Sequence, residues 1–213
     1  MKNICLTLAV LLIAVTGFSQ TTYKEAEKMI KKDKAVKEAK KEAKKWEKQG
    51  YTNLPGNLPL PNQFEQSLVR QVMVNEDGEP RFLSATGSAI SGSEGVAQAN
   101  AMDNTRLQLA GVIQSEVSAL ITNNKGNTGY TADEMQTVDE FLASSKTLIQ
   151  NKIGRIKPVI EMMRRVDDKF EYRFTVMYDT ENAKKIAKDL LKEELEDKLD
   201  KNEDELNKLL GLQ

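Results

Sequence analysis

The chain has 213 residues, a formal net charge of −1, one cysteine and no histidine. Without imidazole, and with a single thiol near the N-terminus, zinc, copper and haem sites lose their usual ligands and catalysis near neutral pH loses its usual base and nucleophile. Chemistry would rest on Asp, Glu, Ser, Thr, Tyr, Lys or Arg, and no cofactor or metal site is expected; the balanced charge gives no global basic field for nucleic acid.

In chain order, residues 1–19 read as a signal peptide. Lys2 is their only charge, the run from Leu6 to Val15 is apolar except for Thr7, and Gly17 and Ser19 are small residues at the −3 and −1 positions. The run is shorter than the roughly 20 residues that cross a bilayer, so no membrane span is expected after cleavage. Cys5 lies far from the cut, which argues against lipidation, and the mature chain is then free of cysteine and of disulfides. The expectation is an exported protein, periplasmic or associated with the outer membrane, or extracellular.

Residues 20–50 read as a charged helix. Thr22 and Glu25 have capping-box spacing, and Ala26, Met29, Val36, Ala39, Ala43 and Trp46 form a narrow stripe that is either a weak coiled-coil seam or the underside of a surface helix. Its lysines suggest contact with anionic lipid or peptidoglycan, but six acids among residues 23–48 weigh against it. Residues 51–61, with Pro55, Pro59 and Pro61, read as an extended linker pinned by Leu54, Leu58 and Leu60.

An α+β domain is expected over residues 62–194. Asn62 would cap a short turn holding Phe64 and Leu68. Val69 to Asn75 and Arg81 to Ile90 would form a hairpin around Asp77-Gly78. Gly87 and Gly92 have phosphate-loop spacing but no following lysine, and read as a loosening strand end. Ser91 and Glu94 would cap a long helix to about Thr122, buried along Ala99, Met102, Leu109, Ile113, Val117 and Leu120. Thr131 and Glu134 would cap the next helix, with Met135, Val138, Leu142 and Ile149 inward.

Strands from Ile156 to Val166 and from Phe170 to Tyr178 follow. A two-residue turn at Asp167-Asp168 would set Arg165 opposite Phe170 and Glu161 opposite Phe174. A three-residue loop would set Val166 opposite Phe170, Met162 opposite Phe174 and Arg165 opposite Glu171. Burial of the apolar set favours the second. A final helix would run from Thr180, and its acidic end, 195–213, would extend beyond the domain; the calcium-loop spacing at 200–204 lacks the glycine at position six. The expected architecture is two layers: an antiparallel sheet of about four strands in two hairpins, packed by a helical hairpin, with long charged helices at both ends.

Candidate surface residues are Trp46 and, on one sheet face, Glu161, Arg165 and Arg173. Arginines beside Glu161 and Glu171 would lower their pKa values, the wrong direction for the general acid of a carboxylate-only hydrolase.

The stretches from Gly95 to Ala101, from Asn104 to Gly111 and from Gln114 to Ile121 resemble small secreted proteins of unknown function from Bacteroidetes, as do the segments from Trp46 to Gln63 and from Ile153 to Val159. Residues 81–178 more distantly resemble a small Helicobacter-type envelope lipoprotein family and the N-terminal domain of the flagellar-assembly T protein. These resemblances imply an envelope location and supply no catalytic residue. The composition and resemblance together lead to the expectation of a non-enzymatic structural or interaction module whose partner is an envelope protein, the cell wall or a second copy of itself. A small-ligand or glycan-binding domain is the alternative, and a carboxylate hydrolase the third.

Overall fold

The computed structural model describes residues 35–124 and 131–199, together with 24–26, 28 and isolated positions near the C-terminus. The expected signal peptide, the Thr22 cap, residues 125–130 and most of 200–213 lie outside the described residues. The expected reach of both terminal helices therefore falls largely outside them as well.

The elements are α1 (Ala35–Lys48), β1 (Thr52–Asn53), α2 (Leu60–Gln71), β2 (Phe82–Ser91), α3 (Glu94–Asn124), α4 (Ala132–Ser144), α5 (Lys146–Lys152), β3 (Pro158–Val166), β4 (Lys169–Asp179) and α6 (Thr180–Leu199). Together they make the expected α+β fold around a four-stranded antiparallel sheet of order β1-β3-β4-β2.

The first expected hairpin does not form. Leu60, Phe64 and Leu68 repeat at helical spacing, so the chain stays helical to Gln71 and Val69 is buried on that helix. Pro59 and Pro61 sit at its start, where their missing N–H groups cost nothing. The turn survives as a single Val74–Pro80 bridge, with Asn75 Oδ1 accepting from the Asp77 and Glu79 N–H groups at 3.1 and 2.9 Å. Strand β2 pairs instead with β4 along its whole length, from Phe82 opposite Asp179 to Ser91 opposite Phe170. In the segment 51–61 Leu54 and Leu60 are buried against the domain, whereas Leu58 is exposed and pins nothing, and Thr52 and Asn53 add a short strand paired with Met163 and Met162.

The β3–β4 turn is the two-residue one. Val166 pairs with Lys169, Arg165 with Phe170, Arg164 with Glu171 and Glu161 with Phe174. Asp167 takes a left-handed φ of 53°, which Asp tolerates better than most residues and which fits a tight hairpin. Burial did not decide the register because both faces of the sheet are covered. On one face Tyr172 and Phe174 pack with Met163 under Ala97 and Ala101 of α3, and Val176 packs with Leu109, Ile113 and, from α6, Leu190 and Leu191. On the other, Ile160, Met162 and Met177 pack with Ala43, Tyr51 and Leu60. The helices of α1 and α2 thus add a cover that the expected two layers did not include.

Gly87 lies within β2, directly beneath α3; a Cβ there would stand 2.3 Å from the Thr105 backbone nitrogen. Rather than a loosening end, it is the point where strand and helix meet. The buried line of α3 accordingly starts Ala97, Ala101, Thr105 and joins the expected line only at Leu109; Ala99 is exposed, and Leu120 gives way to Ile121. Ser91 Oγ accepts from the Ser93 N–H at 3.2 Å, and the Glu94 carboxylate accepts from the Tyr172 hydroxyl at 2.6 Å, in place of the expected reciprocal box. The Thr131–Glu134 box is present. The helix after it breaks at the buried Ser145, whose hydroxyl donates to the Leu142 carbonyl at 2.9 Å.

Candidate functional site

The register determines which side chains share a face. Arg164 stands opposite Glu171, and their Nε and Oε2 atoms are 2.7 Å apart. The same guanidinium donates to the Gln49 carbonyl at 3.1 Å and lies 4.5 Å from the Tyr51 ring centre. Tyr51 meets Trp46 edge to face at 5.2 Å, and Arg173 covers Trp46 at 5.0 Å. Trp46 Nε1 donates to Glu42 at 3.0 Å. A continuous chain of contacts therefore runs from Glu171 through Arg164, Tyr51 and Trp46 to Arg173, fastening the end of α1 to the sheet. Burial chiefly, and then the Glu171 carboxylate, hold the Tyr51 hydroxyl above its ordinary pKa. The hydrogen bond to Glu171 likewise raises Arg164.

Of the residues expected on one surface, the structure brings together only Trp46 and Arg173. Arg165 projects on the α3 face, with its guanidinium 5.0 Å over Phe170. Glu161 belongs to that same face of β3, at the far end of the strand, opposite Phe174. The expected Arg165–Glu171 pair is replaced by the Arg164–Glu171 pair, because β3 from Ile160 to Val166 lies one residue out of the expected register. The signal for the observed register was the alternative two-residue turn. Glu161 and Glu171 occupy opposite faces, so they do not form the facing pair that a carboxylate hydrolase needs. Among the described residues no group of three or more acidic side chains is placed to hold a metal ion.

Two clefts adjoin this arrangement. One, of about 440 Å³, opens where β4 continues past the start of β3; Arg70, Arg155, Lys157 and Glu161 line it. Its floor includes the buried Gln63, whose Oε1 accepts from the Glu161 N–H and whose Nε2 donates to the Leu58 carbonyl, both at 2.6 Å. The other, of about 340 Å³, lies between α1, α2 and the sheet, with Trp46, Phe64, Leu68, Ile160, Met162 and Arg173 among its walls.

The outer side of α1 is a third feature. With about 100° per residue, Lys37, Lys40, Lys41, Lys44, Lys45 and Lys48 fall on one side of the helix, opposite Ala39, Ala43 and Trp46. All six are exposed. Glu38 and Glu42 stand on the flank beside the second cleft, paired with Lys41 at 3.9 Å and Lys45 at 3.3 Å. Of the acids on α1, Glu38 and Glu42 thus stand to one side of the lysine face and Glu47 at its other edge.

No family model, curated protein or solved structure matches the chain. Among the described residues no helix is long and apolar enough to cross a membrane.

Proposed function

We propose that the chain is a non-enzymatic interaction module of the bacterial envelope, exported by residues 1–19, whose contact surface is the lysine face of α1. The observation that carries this reading is the arrangement just described: six exposed lysines on one side of a helix whose other side is fixed to the domain. Exposed ion pairs contribute only about 0–1 kcal/mol each, so a stable contact needs several together, and an array on a fixed helix supplies them without ordering a loose segment first. The partner must be acidic. Residues 194–205 of the same chain carry seven acids against two lysines, so a second copy is the nearest such partner, and the chain associates with itself through this face. The resemblance to secreted Bacteroidetes proteins supports the location.

The test is charge reversal at Lys37, Lys40, Lys44 and Lys48, all exposed and none engaged with a carboxylate among the described residues. Removing residues 20–50 would be a poorer experiment, because it would uncover Tyr51, Leu60 and Ile160 on the sheet. Light scattering should find the natural chain larger than a monomer at low salt and the reversed variant monomeric.

A further inference from the structure

We propose that the cleft between α1, α2 and the sheet binds a monocarboxylate with a short to medium alkyl chain, its carboxylate on Arg173 and its chain along Phe64, Leu68, Ile160 and Met162. The inference rests on this cleft alone and stands apart from the lysine face. Arg173 lines the cleft half-buried, its guanidinium lies over Trp46, and among the described residues it has no carboxylate partner. A partly desolvated guanidinium with no carboxylate paired to it directly is costly, and an aromatic face offsets only part of that cost. A carboxylate offers it a planar, two-pronged partner. Its sheet neighbours leave it available: the Thr86 and Thr175 hydroxyls are bonded to each other at 2.8 Å, and Glu171 is held by Arg164.

The remaining walls select the rest of the ligand. Phe64, Leu68, Ile160 and Met162 are apolar and suit methylenes, beside the polar Ser67, Gln71 and Ser84. About 340 Å³ is near the lower end of small-ligand cavities, roughly 300–1,000 Å³. Glu38 and Glu42 at the α1 side repel every anion in the cleft and those of higher charge most, which favours one carboxylate over a phosphate or a dicarboxylate.

Trp46 is the only tryptophan of the chain and touches Arg173, so it reports directly on the site. The purified chain is titrated with octanoate, with octan-1-ol and acetate as comparators, following Trp46 emission. Binding of labelled octanoate by equilibrium dialysis is measured for the natural chain, Arg173→Gln and Arg173→Lys, with circular dichroism to establish that each is folded. The expected result is saturable binding of octanoate, at least tenfold weaker response to octan-1-ol and to acetate, loss of binding in Arg173→Gln and partial retention in Arg173→Lys. An equal response to octan-1-ol would overturn the role of Arg173, and an equal response to acetate would overturn the alkyl site. The absence of saturable octanoate binding to the natural chain would overturn the proposal outright, whatever the variants do.

Discussion

Gly87 is where β2 and α3 approach most closely, and the approach leaves no space for a side chain. A Cβ would meet the Thr105 nitrogen at 2.3 Å and the Asn104 carbonyl carbon at 2.7 Å, both backbone atoms that cannot swing aside. Gly87→Ala should therefore force helix and strand apart and cost about 1–3 kcal/mol, as overpacking generally does, read as a lower urea midpoint. Tyr172 makes a different kind of prediction. Burial first, and then the hydrogen bond donated to the Glu94 carboxylate, push its hydroxyl up to about 12 from an ordinary 10.0. Between those values the unfolded chain gives up the proton first, so the contribution of Tyr172 to stability is complete below pH 10 and is lost as pH rises through 12. Tyr172→Phe should flatten this alkaline fall in the denaturation midpoint. A residual slope should remain from Tyr51 and Tyr178, which burial also raises. Arg164→Ala should cost roughly 1–3 kcal/mol, since it strips Glu171 of its partner and Tyr51 of its covering cation. The double variant with Glu171→Ala should cost less than the two single losses added together, which a double-mutant cycle measures.

At the scale of elements, the β3–β4 turn tests why the register is what it is. Asp167 sits at a φ of 53°, so Asp167→Gly should be neutral or slightly stabilising, whereas Asp167→Val should cost about 1–2 kcal/mol in chemical denaturation. That turn also marks the limit of what the sequence could reveal. The alternation from Phe170 to Tyr178 made β4 plain, and helical periodicity with a Thr131–Glu134 box made α3 and α4 plain. Choosing between two turn lengths required knowing that α1 and α2 cover the second face, which no local pattern carries. With both faces covered, a one-residue slip no longer exposes the apolar set, and turn geometry decides. The same hidden cover explains the misplaced surface: Arg165, Glu161 and Arg173 share a face only in the other register. Val69 to Asn75 was misread for a related reason, because β-branched residues at the end of an amphipathic helix look like the start of a strand. The two-residue β1 is too short to leave any periodic signal.

At the scale of the whole molecule, α1 has two sides with different work. Ala39 and Ala43 are buried, and Trp46 joins the aromatic and arginine chain that ends at Glu171, so the inner side closes the sheet. The outer side carries the lysines. Because one helix does both, its charge can be altered without disturbing the core, and its deletion cannot. A contact made by an array of exposed charges should weaken as salt shortens the Debye length, from about 10 Å at 0.1 M to about 3 Å at 1 M. The decisive measurement is the mass of the purified chain by light scattering at low and high salt, beside the variant with Lys37, Lys40, Lys44 and Lys48 changed to Glu. An assembly larger than one chain that dissolves in high salt and is absent in the variant is the predicted result. A monomer at low salt, or an assembly that the four substitutions leave intact, would contradict the lysine face as the surface through which this protein associates.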